Sequence, residues 1–106
     1  MNKTEHLLAC LIEECAEVQK VAAKALRFGL DDHAPDEPTL PNSVSIANEC
    51  TDLLAIMEML ESENIIPPFQ THQSIQIKKD KVIKYMEYAR ERGTLSAEGF
   101  AKNIDK

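Results

Sequence analysis

The sequence predicts an all-α fold, a helical bundle of three long helices plus a short C-terminal helix. Ala, Leu, Ile, Glu and Lys dominate it, whereas it contains only 3 Gly and 5% aromatic residues, a composition that favours helices over strands. Three long stretches carry apolar residues at helical spacing, and prolines or glycines separate them. A chain of 106 residues is long enough for one domain with a modest core, so we predict a single domain over residues 1–106.

The first helix is predicted to begin at Thr4, which can serve as its N-cap, and to end at Phe28. Gly29 then occupies the position just after a helix where glycine is most frequent. A proline-rich loop follows over residues 31–42, because its prolines at 35, 38 and 41 cannot continue a helix.

Three further helices are predicted after this loop. The second helix is expected over Val44–Glu63, with Asn42 or Ser43 as its cap. The third is expected over Ser74–Arg92, where a glycine stops it, and the short last helix over Ala97–Ile104.

Charge and hydropathy exclude several function classes. A net charge of −6 argues against binding a nucleic acid polymer, which needs a basic surface, but it allows a nucleotide that binds through a metal ion. No apolar run approaches the roughly 18 residues of a membrane span, and the N-terminus lacks a signal-peptide pattern. The 3 cysteines show no C-x-x-C spacing and fall in apolar helical runs, so we expect small core residues in a reducing cytoplasm.

Acidic residues interrupt the apolar first helix in the stretch E-E-C-A-E-V, residues 13–18. A helix turns about 100° per residue. Measured around the helix axis from Leu11, the centre of the predicted core stripe, Glu14 lies at about −60°, Glu17 at about −120° and Glu13 at about −160°. Glu14 therefore borders the core. Glu17 lies on the same side, so this pair with i, i+3 spacing can point at one object.

A second acidic pair lies on the second helix. Relative to Cys50, Glu49 lies at about −100°, inside an apolar arc, and Asp52 at about −160°, at its margin. A buried carboxylate must find a cation or take up a proton, and ligation by Asp and Glu oxygens suits Mg²⁺ or Mn²⁺. The alternative is a solvated acidic face on each helix. A di-iron site fits less well because no Glu-x-x-His pair is present among these acids.

These motifs carry a family resemblance. "EECAE" followed by "ECTD" resembles the E-E-x-x-E … E-x-x-D motif of the all-α nucleoside triphosphate pyrophosphohydrolases. This MazG-like superfamily also includes dimeric dUTPases, dCTP pyrophosphatases and phosphoribosyl-ATP pyrophosphohydrolase. The runs "KALRFGL", "DLLAIMEML" and "KVIKYMEYARERG" look like its flanking helices, so the resemblance covers most of residues 5–93. The spacer between the motifs is slightly longer than is typical of the family, and the proline-rich loop can absorb the difference.

The resemblance implies hydrolysis of a (deoxy)nucleoside triphosphate between its α- and β-phosphates, giving the monophosphate and pyrophosphate. Glu14, Glu17, Glu49 and Asp52 match the Mg²⁺ ligands of the family, with Mn²⁺ as an alternative ion. Glu13 matches the leading Glu, a candidate for orienting or deprotonating the attacking water. Glu14 or Glu17 can also act as the base while it contacts the metal.

Phosphates also need cations, and basic residues lie on the first and third helices. Lysines in an apolar stripe more often extend to solvent than bind a ligand, and a tyrosine there is often a core residue with a hydrogen-bonded hydroxyl. The candidate substrate-binding residues are Lys24, Arg27, Asn48, Lys78, Lys81 and Tyr85.

The active site of the superfamily often lies near a subunit interface. Three long helices make an incomplete bundle, so we expect dimerisation to complete it, as a homodimer or as a dimer of dimers, with a monomer as the alternative. Two other functions also stay open: phosphoribosyl-ATP hydrolysis, which uses similar chemistry, and a non-catalytic helical module that binds a nucleotide or a protein partner.

Overall fold

The computed structural model describes residues 1–69 and 71–96. It contains helices α1 (Lys3–Phe28), α2 (Asn42–Ser62) and α3 (His72–Glu91), and the described residues form no strand. The predicted all-α class and the three long helices are therefore confirmed. The predicted helix Ala97–Ile104 lies outside the described residues.

Side-chain caps set where α1 and α3 begin. The predicted cap Thr4 lies inside α1, and Asn2 caps the helix instead: its Oδ1 accepts a hydrogen bond from Glu5 N at 2.8 Å. In return, Glu5 Oε1 accepts one from Asn2 N at 3.1 Å, which completes a capping box. Thr71 and Ser74 form the same reciprocal pair at the start of α3, two residues earlier than expected.

The start of α2 also differs from the prediction. Asn42 and Ser43 both lie inside the helix, and Pro41 occupies the cap position without a side-chain hydrogen bond. The Asn42 side chain instead donates from Nδ2 to the Gly29 carbonyl at 2.9 Å, because a carbonyl at the end of a helix lacks an intrahelical partner. Ser43 N donates to Leu30 O at 3.0 Å, so the loop between the helices is tied back onto the start of α2.

Contacts at both ends show that α1 and α2 are antiparallel. At one end, Lys3 Nζ lies 2.7 Å from Glu63 Oε1; at the other end, Asn42 bonds Gly29. The chain forms two compact units, Met1–Pro68, which contains α1 and α2, and Phe69–Lys106, which contains α3.

The face of α1 that packs against α2 is centred on Glu14 rather than on Leu11. Its covered positions follow the i, i+3, i+4, i+7 spacing of a helix face, and their mean direction lies about 60° from Leu11. Several residues of the predicted stripe, including Leu8, Cys15 and Leu26, are exposed instead. The covered residues of α1 are Leu7, Cys10, Leu11, Glu14, Glu17, Val18, Val21 and Ala25.

The apolar core of the described residues is small. Only Leu7, Val21 and Leu60 are buried apolar side chains, and Leu60 is the most enclosed at 1% exposed. Cys15 and Cys50 are exposed and Cys10 is half-buried, so the expectation of three core cysteines is wrong. Within residues 1–69 and 71–96, none of the helices has both the length and the apolar character of a membrane span.

Candidate metal centre

Three carboxylates from the two antiparallel helices converge. One oxygen each from Glu14, Glu49 and Asp52 lies within 4.8 Å of the oxygens of the other two. Glu14 and Glu49 are half-buried, and Asp52 is exposed. We call these three side chains the acid cluster.

The helix faces explain why the cluster forms. Glu49 lies near the middle of the α2 face that packs against α1, as Glu14 does on its own helix. Asp52 follows Glu49 by three residues, which places it on the same side of α2. The covered residues of α2 are Asn42, Ser45, Ile46, Glu49, Leu53, Ile56, Met57, Leu60 and Glu61.

Burial and the neighbouring acids both disfavour the ionised form of Glu14. Desolvation by burial is the largest cause that raises the pKa of Glu14, and the negative charges of Asp52, Glu49, Glu13 and Glu17 raise that pKa further, in this order. Every side-chain charge that shifts this pKa is negative. The site therefore favours either a bound proton or a bound cation at Glu14.

Two other predicted residues lie beside the cluster but outside it. Glu17 is half-buried one turn further along α1, and Glu13 is exposed. Both lie close enough to raise the pKa of Glu14. The role of Glu17 as a ligand and that of Glu13 in orienting water stay predictions.

The predicted substrate-binding residues fall into two groups. In the first unit, Lys24 lines a cavity of about 440 Å³. The Arg27 guanidinium lies 4.7 Å from the centroid of the Phe28 ring. Asn48 is exposed beside Glu49. In the second unit, a groove of about 400 Å³ on α3 brings the remaining three residues together: Lys78, Lys81 and Tyr85.

The cavity at Lys24 is a feature that the sequence did not reveal. The end of α1, the proline-rich loop and the start of α2 form its walls. The sequence indicates only a loop insertion here, and it indicates only a helix cap at Asn42. The unusual run L-D-D-H-A-P was the available signal, but it shows no helical or strand period that would place its side chains.

The donor set of the acid cluster fits a hard divalent cation. Mg²⁺ binds oxygen ligands at 2.0–2.1 Å, so two opposite ligands lie about 4.2 Å apart. The cluster oxygens lie within 4.8 Å of one another, a spacing close to that range. Three carboxylates leave the other positions of an octahedron to water or phosphate oxygens.

Fold and site together define an all-α protein with a carboxylate cluster at the centre of an antiparallel helix pair. No protein-family model matches the chain, and comparisons with curated proteins and with solved structures give no match. The resemblance to the MazG-like superfamily therefore depends on the motif residues and the runs that flank them.

Proposed function

We propose that the protein is a Mg²⁺-dependent nucleotide pyrophosphohydrolase of the MazG-like superfamily. It cleaves a (d)NTP to the (d)NMP and pyrophosphate, and it acts in cytoplasmic nucleotide-pool control. The observation that carries this proposal is the convergence of Glu14 from α1 with Glu49 and Asp52 from α2. Residues from both halves of the E-E-x-x-E … E-x-x-D motif thus meet at one point.

The charge of the cluster makes a metal ion necessary for this substrate. Three carboxylates repel a polyphosphate, and they hold it only through a cation between them. When bound, Mg²⁺ neutralises phosphate charge and lowers the pKa of a coordinated water. The proposed ligands are the three cluster residues together with Glu17.

Glu14 is well placed to accept a proton from the attacking water. Its pKa is raised, and a carboxylate with a higher pKa is a stronger general base near neutral pH. It has two oxygens, so one can contact the metal while the other accepts the proton. Glu13, exposed and adjacent, can position the same water.

Lys24 and Arg27, which belong to the same unit as the acid cluster, are the proposed phosphate-binding side chains. Phosphate binding by Lys78 and Lys81 of the second unit stays a prediction.

The exposed apolar side chains support the proposed homodimer. Leu8, Ile12 and Leu26 on α1 are 40%, 71% and 89% exposed, and Leu54 on α2 is 39% exposed. Large apolar side chains left in water on one helix pair favour association, and a second copy is the proposed partner. Light scattering on the purified chain should give two or four times its mass of 11.9 kDa, whereas a mass of one chain contradicts this part of the proposal.

The function is tested by incubating the protein with each dNTP and NTP, and with phosphoribosyl-ATP, in the presence of Mg²⁺. We expect pyrophosphate release that EDTA abolishes. Release of orthophosphate alone, or no turnover of any substrate, refutes the proposal.

A matched pair of variants on α2 tests the acid cluster. Glu49→Gln removes a cluster charge without changing shape, and we expect kcat/KM to fall on the order of 10²–10³-fold, as when one group that stabilises the transition state is lost. Glu58→Gln makes the same change at an exposed position outside the cluster and should keep its activity. Both variants should retain the helical circular-dichroism signal.

A further inference from the structure

The cavity of about 440 Å³ lies one helical turn from Glu49 of the acid cluster and one turn from Glu17 beside the cluster. On α2, Ser45 lines the cavity and precedes Glu49 by four residues; on α1, Val21 lines it and follows Glu17 by four residues. Four residues are one helical turn, about 6 Å, on the same face. The volume falls within the range of about 300–1,000 Å³ that is usual for small-molecule sites.

Asn42 presents a hydrogen-bond acceptor to this cavity. The residue lines the cavity and is only 8% exposed. Its Nδ2 donates to the Gly29 carbonyl, and because a carbonyl only accepts, this bond fixes the orientation of the amide. Oδ1 receives no hydrogen bond from the described residues. All fully buried side-chain oxygens of the described residues have a partner. Oδ1 has none, so it keeps some accessible surface, and the cavity that Asn42 lines is where we place its donor.

His33 adds a second acceptor. Its Nδ1 lies 2.8 Å from Ala34 O, so Nδ1 carries the hydrogen and Nε2 is the acceptor in the neutral ring. The carboxylates of Asp32 and Glu37 also line the cavity.

Two lining residues carry donors, Lys24 and Ser45; the proposed function assigns the Lys24 ammonium to phosphate, and Ser45 lies on the side of the cavity toward Glu49. The wall formed by the loop and Asn42 is therefore rich in acceptors, and a complementary base supplies donors.

An aromatic side chain completes the wall. The Phe28 ring lines the cavity, and the Arg27 guanidinium at 4.7 Å from its centroid covers one face of the ring. A planar ligand in the cavity would stack on the opposite face. Aromatic rings bind nucleobases by stacking in this way.

We propose that this cavity binds the base of the substrate nucleotide and prefers a base with an exocyclic amino group, cytosine or adenine, over thymine or uracil. The amino group donates hydrogen bonds to the acceptors of Asn42 and His33. Thymine and uracil carry a carbonyl oxygen where cytosine has its amino group, and this oxygen faces the same acceptors unfavourably. Placing the phosphates on the acid cluster rests on the proposed function, whereas binding of the base alone does not.

The base pocket is tested without metal or catalysis by titrating the full chain with deoxycytidine, deoxyadenosine and thymidine and following its amide signals by NMR. We expect the first two nucleosides to shift the amides of residues 28–45. Thymidine should bind about 5- to 150-fold more weakly, the discrimination of a good hydrogen-bonded pair.

Two variants and one control locate the binding. Phe28→Ala should weaken deoxycytidine binding by about 5- to 150-fold, the contribution of one stacking ring, and Ala34→Trp should block the cavity from the exposed loop. Leu30→Ala should bind like the wild type, because Leu30 is 56% exposed near the same helix end and does not line the cavity. In turnover, Phe28→Ala should raise KM more than it lowers kcat, as expected for a binding contact remote from the reaction.

The outcomes separate this inference from the proposed function. If nucleotides are hydrolysed but no nucleoside shifts the cavity amides and Phe28→Ala keeps its KM, the base pocket is wrong and the function stands. If deoxycytidine binds at the cavity and no nucleotide is hydrolysed, the function is wrong and the pocket stands. Equal affinity for thymidine and deoxycytidine overturns the base preference.

Discussion

A cavity made at Leu60 tests whether a metal ion contributes to the packing of α1 against α2. Leu60 is 1% exposed and is one of three buried apolar side chains of the described residues. Truncating a buried leucine to alanine costs about 2–5 kcal/mol of unfolding free energy. For a domain of this size, we expect Leu60→Ala to lower Tm by at least about 8 °C in EDTA.

Mg²⁺ should offset part of this loss, because the acid cluster draws its ligands from both helices and exists only when they are packed. A ligand at 100 times its Kd stabilises the folded state by about 2.7 kcal/mol, which is about half or more of the cost of the cavity. Thermal unfolding followed by circular dichroism, with Mg²⁺ and with EDTA, measures the difference.

The control is Leu60→Ala combined with Glu14→Gln, which keeps the cavity and removes a cluster charge. Mg²⁺ should not raise Tm in this double variant. If Mg²⁺ raises Tm equally in both proteins, the ion acts elsewhere, and if it raises neither, the cluster holds no ion.

Three further predictions concern single residues. The pKa of Glu14 is raised above 4.5 in the folded state, so the protonated side chain stabilises the fold below that pH, and this stability is lost as the pH rises through the higher folded pKa. Urea unfolding in EDTA should therefore show Glu14→Gln gaining stability relative to the wild type as the pH is raised to 7. A difference that does not change with pH contradicts the prediction. Asn42→Ala removes the hydrogen bond to the Gly29 carbonyl and should cost about 1–3 kcal/mol by urea unfolding, whereas a loss within experimental error would show that this bond does not hold the loop. Glu17→Gln should weaken Mg²⁺ binding in calorimetry, but less than Glu49→Gln does, because only Glu49 lies in the acid cluster; an unchanged affinity would remove Glu17 from the proposed ligands.

The sequence predicted the helices well because their signals are local. Proline and glycine positions and helical periodicity determine where α1, α2 and α3 lie. The caps were less predictable, since Asn42 can cap a helix or bond a carbonyl of another segment, and only tertiary contact decides between these roles. The cavity beside Lys24 was missed for the same reason, because the loop bonds that shape it link residues distant in sequence.

The predicted direction of the core face on α1 differs from the observed direction by about 60°. Apolar residues cover more than half of this helix, so the wheel shows a broad stripe and does not reveal which part α2 covers. The exposed apolar residues of α1, including Leu8 and Leu26, shifted the predicted centre of the core face away from Glu14. The i, i+3 spacing of the acids was a better guide, because it places two side chains on one side of the helix whichever part of the stripe is covered.

The position of Glu14 at the centre of a helix interface has a cost that packing alone does not explain. A half-buried carboxylate among acids destabilises the folded chain, as its raised pKa shows, and the apolar core around it has only three buried side chains in the described residues. An apolar side chain at this position would pack against α2 without that penalty. A bound cation would remove this penalty, because it would convert the repulsion between the two helices into attraction. The proposed Mg²⁺ is then part of the packing between α1 and α2 as well as of the chemistry, and loss of the ion should loosen the same contact that positions the acids.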